Sequence, residues 1–195
     1  MKKSPHRSVY SIVFVLVCLA LPMPGIASAQ DWPSWRGRGQ NGVSNLTDLV
    51  SSWSPEGENL IWFQEYIARS TPAVFDGRVC ANGRTGENAS KKEIVTCWHA
   101  EDGTKLWEHT FSVLNTTVPF NRVGWGSVTG DPETGYLYAL NVDGHLHCFD
   151  RDGTIVWDWR LSEDLGRASG YGGRTSTPII DEDRLTEDQV NQLVE

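Results

Sequence analysis

The chain has 195 residues, of which 39% are hydrophobic, nine are Trp and nineteen are Gly. This length suffices for one ordinary domain, and the apolar content excludes a disordered chain. The formal net charge is −8, and a net-acidic chain without a Lys/Arg run repels phosphate backbones, which argues against a nucleic-acid partner.

Residues 1–29 have the pattern of a secretory signal peptide. Three basic residues at positions 2–7 precede an apolar run over 12–21 that is too short to span a bilayer. Small residues follow, and we predict cleavage between Ala29 and Gln30. An uncleaved anchor is the alternative, which the short apolar run disfavours. We therefore expect a periplasmic or secreted protein without a membrane span once the signal is removed.

Cleavage would also change the charge. The segment holds three of the seventeen basic residues and none of the 25 acidic ones, so the mature chain has 14 basic and 25 acidic residues and a formal charge of −11.

Residues 30–58 are predicted to form an N-terminal arm or ordered loop. Residues 31–44 are rich in Trp, Arg and Gly and show neither a period of 2 nor one of 3.6. Gly57 belongs to a Pro-Glu-Gly turn signal. Residues 59–63 then have the composition of a strand that ends near Trp62.

Residues 124–159 predict a meander of three short strands. An apolar and aromatic run over 136–141 is followed by Asp143-Gly144, a two-residue turn signal in which Gly accepts a positive φ. Residues 145–149 form the return strand. A second turn at Asp152-Gly153 leads into the third strand, which contains Trp157.

Residues 72–107 repeat this meander, and residues 176–180 begin it again. From Trp62 to Trp107 the spacing is 45 residues, and from Trp107 to Trp157 it is 50. A period of this length with four short strands per unit is typical of β-propeller blades, and we interpret the terminal Trp residues as core plates between blades. The predicted structural repeat positions are Trp62, Trp107, Trp157, Gly103, Gly153 and Gly144.

The predicted fold is therefore all-β, a partial β-propeller over residues 59–184 with about two complete four-stranded blades and flanking strands. Residues 185–195 break the pattern. Thr186 and Gln189 resemble a capping box, which predicts a short helix or a frayed end in this tail. Since closed propellers have 4–8 blades, we expect a fragment, an early stop, or a subunit that associates with itself or another chain.

Three cysteines remain after residue 29. Cys80 and Cys97 would face each other if their strands paired around a loop near residue 89, and a cross-strand disulfide is then one interpretation. Two small buried thiols are the other, which we favour because the second repeat has Tyr138 opposite Cys148. No Cys-x-x-Cys zinc pattern occurs.

Other candidate sites have simpler explanations. Residues 150–153 start like a calcium loop, but the Gly is fourth instead of sixth, so a turn is favoured. His145 and His147 share one face of a strand, but no third metal ligand can be assigned. We therefore predict no catalytic, cofactor-binding or metal-binding residue.

These motifs resemble the pyrroloquinoline-quinone (PQQ)-like repeat family of β-propellers. Its repeat, roughly DGRVY…GxLYALDxxTGKxLW, is similar to residues 76–107 and again to residues 144–157. Residues 31–44 and 170–178 are similar to secreted bacterial members with a non-enzymatic or unknown role. The resemblance covers most of residues 31–184.

The resemblance implies a fold and leaves two functions open. Scaffold members, which include the outer-membrane protein assembly factor BamB, bind partner proteins. Quinoprotein dehydrogenases use PQQ and Ca²⁺, and usually a vicinal Cys pair that this sequence lacks. We favour a non-catalytic scaffold that binds a protein or an envelope component and needs no cofactor. A degenerate quinoprotein dehydrogenase portion, which would use PQQ and calcium, is the alternative, and a gene fragment without independent function is another.

Overall fold

The computed structural model of the chain describes residues 30–47, 49–113, 118–165, 173–181 and 184–187. The predicted signal peptide, with Ala29 at its cleavage site, lies outside these residues, and so do residues 170–172 of the family resemblance and residues 188–195 of the tail. Within the described ranges, no helix has the length and apolarity needed to cross a membrane.

Two four-stranded antiparallel sheets hold most of the described chain. The first, here called blade 1, contains in order β1 (Ala73–Phe75), β2 (Arg78–Thr85), β3 (Lys92–His99) and β4 (Lys105–Ser112). Blade 2 contains β5 (Thr129–Gly130), β6 (Leu137–Leu140), β7 (His145–Phe149) and β8 (Ile155–Arg160). Each strand pairs with the next one in the chain, as the glycine turns predict, so the meander expected from the sequence is confirmed.

A third sheet follows with β9 (Pro178–Asp181) and β10 (Arg184–Glu187), which pair antiparallel. Residues 185–187 therefore belong to a strand, and the predicted helical tail from residue 185 is wrong at this point. The physical reason is that the backbone of these residues pairs with β9, and these strand hydrogen bonds take the place of those of a helical turn.

Short helical turns lie in the connections. A one-turn helix α1 (Leu161–Asp164) follows β8, and 3₁₀ turns occupy Asn88–Ser90 and Phe120–Arg122.

The main core lies between blade 1 and blade 2. Both sheets contribute to one cluster of buried side chains, in which Phe75 and Phe149 are fully buried. Because the two sheets bury their facing surfaces against each other, the strands can be apolar without strict alternation. The cluster comprises Ala73, Phe75, Cys80, Val95, Cys97 and Phe111 from blade 1 with Val128, Leu137, Ala139 and Phe149 from blade 2.

The segment before blade 1 differs from the prediction. Residues 59–63, which read as a strand, are not part of any sheet within the described chain. These residues have the apolar composition of a strand, but no described strand pairs with them. Residues 60–70 instead run over blade 1 and are called the extended segment below.

Candidate docking site

The extended segment is held on blade 1 by the tips of alternate side chains. The indole N–H of Trp62 donates to Ala100 O at 2.8 Å, and the Gln64 amide donates to Gly103 O at 2.9 Å. The Tyr66 hydroxyl lies 2.7 Å from Ile94 O. Side chains two apart point to the same side of an extended chain, so the even-numbered residues form the anchoring face.

The opposite face of the extended segment is open and carries three exposed apolar side chains together with exposed Glu65. Ile61, Phe63 and Ile67 are 81%, 76% and 57% exposed. Between residues 61 and 66 the backbone makes no hydrogen bond to the described part of the chain. An extended backbone with unpaired polar groups beside apolar side chains is a template for a further strand.

A groove runs between the extended segment and blade 1. It has a volume of about 310 Å³ and is lined by Tyr66, Pro72 and Trp98 among others. The ring of Tyr66 meets that of Trp98 edge-on at 4.8 Å between centroids, and burial raises the pKa of the Tyr66 hydroxyl. Tyr66 therefore fixes the segment at one depth above the sheet.

Each of two tryptophans covers the glycine of a turn. At Gly103, a Cβ would come within 2.7 Å of the Trp62 ring, and at Gly153 it would come within 2.5 Å of Trp107. The indole N–H of Trp107 donates to Arg151 O at 3.1 Å, as that of Trp62 does to Ala100 O at 2.8 Å. The Trp of one unit thus docks on the turn of the next unit, which ties the units together in order.

The third repeat tryptophan is placed differently. Trp157 lies on β8 and is 39% exposed, so the prediction of a core plate does not hold for it within the described chain. Its closest aromatic contact is Tyr138, at 5.9 Å between ring centroids. Gly144, the remaining repeat position, has φ +82° in the turn before β7, and its carbonyl accepts from the Leu161 N–H at 3.0 Å.

A buried arginine joins the turns at one edge of the two blades. Arg78 donates to Gly135 O at 2.8 Å and to Arg151 O at 3.2 Å, and its guanidinium stacks on Phe75 at 4.6 Å. Asp76 accepts from Arg78 at 3.2 Å and from Arg151 at 3.0 Å. Buried charge needs such partners, so this cluster orients blade 1 against blade 2.

A buried carboxylate joins the two blades at the other side. Glu93 on β3 is 1% exposed and accepts the N–H of Gly124 at 2.8 Å and of Val142 at 2.7 Å. Burial raises the pKa of Glu93 to about 7, although these two backbone donors lower it. Glu93 could not be singled out from the sequence, because its donors come from distant parts of the chain.

His145 and His147, which were considered above as metal ligands, pack against each other. Their rings are 3.9 Å apart, and His145 Nε2 lies 2.6 Å from Asp158 Oδ1. His147 packs between His145 and Phe111, and burial with the neighbouring His145 lowers the pKa of His147 to about 3. In the described ranges, no group of three His, Cys, Asp or Glu is placed to hold a metal ion.

The two candidate cysteines are joined. Cys80 and Cys97 lie directly opposite each other on β2 and β3, with 4.1 Å between their Cα atoms, and they form a disulfide. The structure thus has the bridged arrangement and not the two buried thiols that the sequence analysis favoured. Cys148 is free and buried, and burial raises its pKa to about 11.

Two four-stranded meanders stacked face to face, with the third sheet against β5 and β6 of the second, define the chain as an all-β partial β-propeller. The fold class predicted from the sequence is confirmed.

No family model matches the chain, and no curated protein matches it. Among solved structures, the crystal structure of BamB from Moraxella catarrhalis is similar, with 15% identical residues and a TM-score of 0.35. The similarity covers 60% of this chain and 39% of that chain.

Proposed function

We propose that the chain is a non-catalytic binding scaffold built from PQQ-like propeller repeats, and that it binds a β-strand of a partner protein or envelope component along residues 61–67. The observation that carries this proposal is that the backbone of residues 61–66 makes no hydrogen bond to the described residues and lies beside exposed Ile61, Phe63 and Ile67. Strand addition supplies affinity through main-chain hydrogen bonds and specificity through alternate side chains.

The blade arrangement supports a rigid scaffold. Three side-chain hydrogen bonds hold one face of the segment before a partner arrives. They are donated by the Trp62 indole, the Tyr66 hydroxyl and the Ser70 hydroxyl, the last to Asn82 O at 2.6 Å. Little ordering is then left to oppose binding, because the segment is already extended.

We also propose a periplasmic or secreted location. Residues 1–29 have the composition of a signal peptide. The Cys80–Cys97 disulfide supports the same proposal, since disulfides persist in oxidising compartments and are rare in the cytosol.

Photo-crosslinking in an envelope-containing host tests the binding site. A benzoylphenylalanine at Phe63 should give a defined cross-linked partner band, whereas the same residue at Leu165, which is 61% exposed and follows α1 beside blade 2, should not. Equal cross-linking from both positions would contradict the proposed site.

A separate assay distinguishes the scaffold from the dehydrogenase alternative. Purified chain is mixed with PQQ and Ca²⁺, and bound-quinone absorbance and dye reduction with alcohols are recorded. A scaffold gives neither signal, while alcohol-dependent dye reduction would overturn the non-catalytic role.

A further inference from the structure

The glycine turns and tryptophans of the repeats form a series. Gly103 and Gly153 each precede a tryptophan of their own unit by four residues, and Gly57 precedes Trp62 by five. Trp62 covers Gly103, and Trp107 covers Gly153. The same contact is therefore made twice inside the chain, each time between consecutive units.

Two members of the series are left uncovered. Gly57 has φ +117°, its N–H closes the turn to Ser54 O at 3.2 Å, and a Cβ added to it would meet nothing within 4 Å. Trp157 is 39% exposed, and its indole N–H donates to none of the described residues. Within the described residues, the Gly57 turn and the Trp157 indole thus lack the partner that the corresponding groups have in the other two contacts.

We propose that Trp157 of one copy of the chain docks on the Gly57 turn of a second copy, so that copies associate head to tail. Apolar side chains beside both halves support this contact: β8 also exposes Ile155 and Trp159, and the residues after Gly57 expose Ile61 and Phe63. Burial of such side chains drives association.

The two surfaces of this contact differ, so the interface is heterologous. After two copies have joined, one still presents its Trp157 surface and the other its Gly57 surface, so further copies can add until a ring closes or a filament grows. By analogy with Trp107, the indole N–H of Trp157 donates to a carbonyl of the Gly57 turn, and the ring lies against the glycine, which only a residue without a Cβ permits. This inference goes beyond the proposed strand-binding site, because it concerns identical chains. The two surfaces share Ile61 and Phe63, but Trp157 lies outside the strand-binding site, so Trp157 variants test the contact between copies separately.

Sedimentation equilibrium of the purified full chain over a wide concentration range provides the first test. The weight-average mass should rise with concentration, and Trp157→Ala and Gly57→Ala should each raise the dissociation constant by at least about tenfold. Two matched variants should leave it unchanged: Trp35→Ala, at a tryptophan 40% exposed, and Gly42→Ala, at a glycine of φ +71° with nothing within 4 Å.

A second measurement does not depend on the stability of one variant. Ile155→Cys chain and Glu56→Cys chain both keep Trp157 and Gly57 and place a thiol beside each side of the contact. Mixed under oxidising conditions, they should give more disulfide-linked dimer than either chain alone. The proposal is overturned if the wild-type chain stays monomeric, if Trp157→Ala and Gly57→Ala associate like the wild type, or if the mixture forms no more dimer than each chain alone.

Discussion

The ring of Trp107 lies so close to Gly153 that a Cβ at residue 153 would come within 2.5 Å of Trp107 Cδ2. Because Trp107 ends one unit and Gly153 belongs to the turn of the next, this contact links blade 1 to blade 2. The pair explains the two most regular features of the sequence, a glycine turn and a tryptophan four residues later.

Gly153→Ala should destabilise the fold more than a glycine substitution without this contact. The new Cβ meets the Trp107 ring and also takes a left-handed backbone (φ +83°), so we expect a loss of about 3 kcal/mol in the free energy of unfolding. Gly77→Ala has similar backbone strain (φ +68°) but open space, and should cost about 1 kcal/mol. Urea unfolding measures both, and equal losses would contradict the dock.

The Cys80–Cys97 disulfide can be tested by counting reactive thiols before and after reduction. Chain cleaved after residue 29, unfolded without reductant, should show one reactive thiol, that of Cys148, and three after reduction. Three thiols without reductant would exclude the bridge. The Cys80→Ala, Cys97→Ala double variant should lose about 3 kcal/mol of unfolding free energy, since the disulfide closes a loop of 17 residues.

Glu93 should make the chain less stable as pH rises from about 4.5 to 7. Burial raises its pKa from 4.5 to about 7, so the folded chain holds this proton more tightly than the unfolded chain. The resulting stabilisation is complete below pH 4.5 and is lost as pH rises through the folded pKa, a change of about 3 kcal/mol.

Glu93→Gln removes this titration. Its amide cannot accept from both Gly124 and Val142 as the carboxylate does, but that cost does not depend on pH. The variant should therefore gain stability relative to the wild type between pH 4.5 and 7 in chemical unfolding series. Parallel curves across this range would show that Glu93 keeps an ordinary pKa.

His147 should have the opposite dependence on pH. Burial lowers its pKa from 6.5 to about 3, so the unfolded chain takes up a proton first as the solution is acidified. The stabilisation is present above pH 6.5 and decreases as pH falls, by about 1.4 kcal/mol per pH unit.

His147→Phe cannot take up this proton and keeps an aromatic ring beside Phe111 and Phe149. Relative to the wild type, it should become steadily more stable as pH falls from 6.5 to 4.5, as measured by urea unfolding. If its stability relative to the wild type does not change with pH, His147 is not held neutral. The double variant with Glu93→Gln should show both effects cancelling in part between pH 4.5 and 6.5.

The strands and their turns could be predicted because local signals specify them. Asp143-Gly144 and Asp152-Gly153 are turn sequences, and the apolar runs between them need a sheet. The repeat gave the number of strands in each blade. The prediction of a strand at 59–63 was wrong. The composition of this segment suits a strand, but the sequence does not show whether a neighbouring strand is present to pair with it.

Contacts between distant residues could not be predicted in the same way. Glu93 reads as one charged residue on a strand, and its donors Gly124 and Val142 lie 31 and 49 residues away. The spacing of the tryptophans was visible, but not that Trp62 covers Gly103, since only the stacking of blades brings them together. The prediction of β10 as a helix failed for a related reason, because Leu185 pairs across the sheet with Ile180.

The proposed binding site requires that residues 61–66 are extended and that their backbone makes no hydrogen bond within the described chain, so that it can pair with a partner strand. Hydrogen–deuterium exchange of the dilute, monomeric chain tests this directly. We expect fast exchange at 61–66 and strong protection at Val95 to Cys97 in the middle of blade 1, where β3 pairs on both sides. Protection of residues 61–66 equal to that of β3 in the monomer would contradict the proposed binding site.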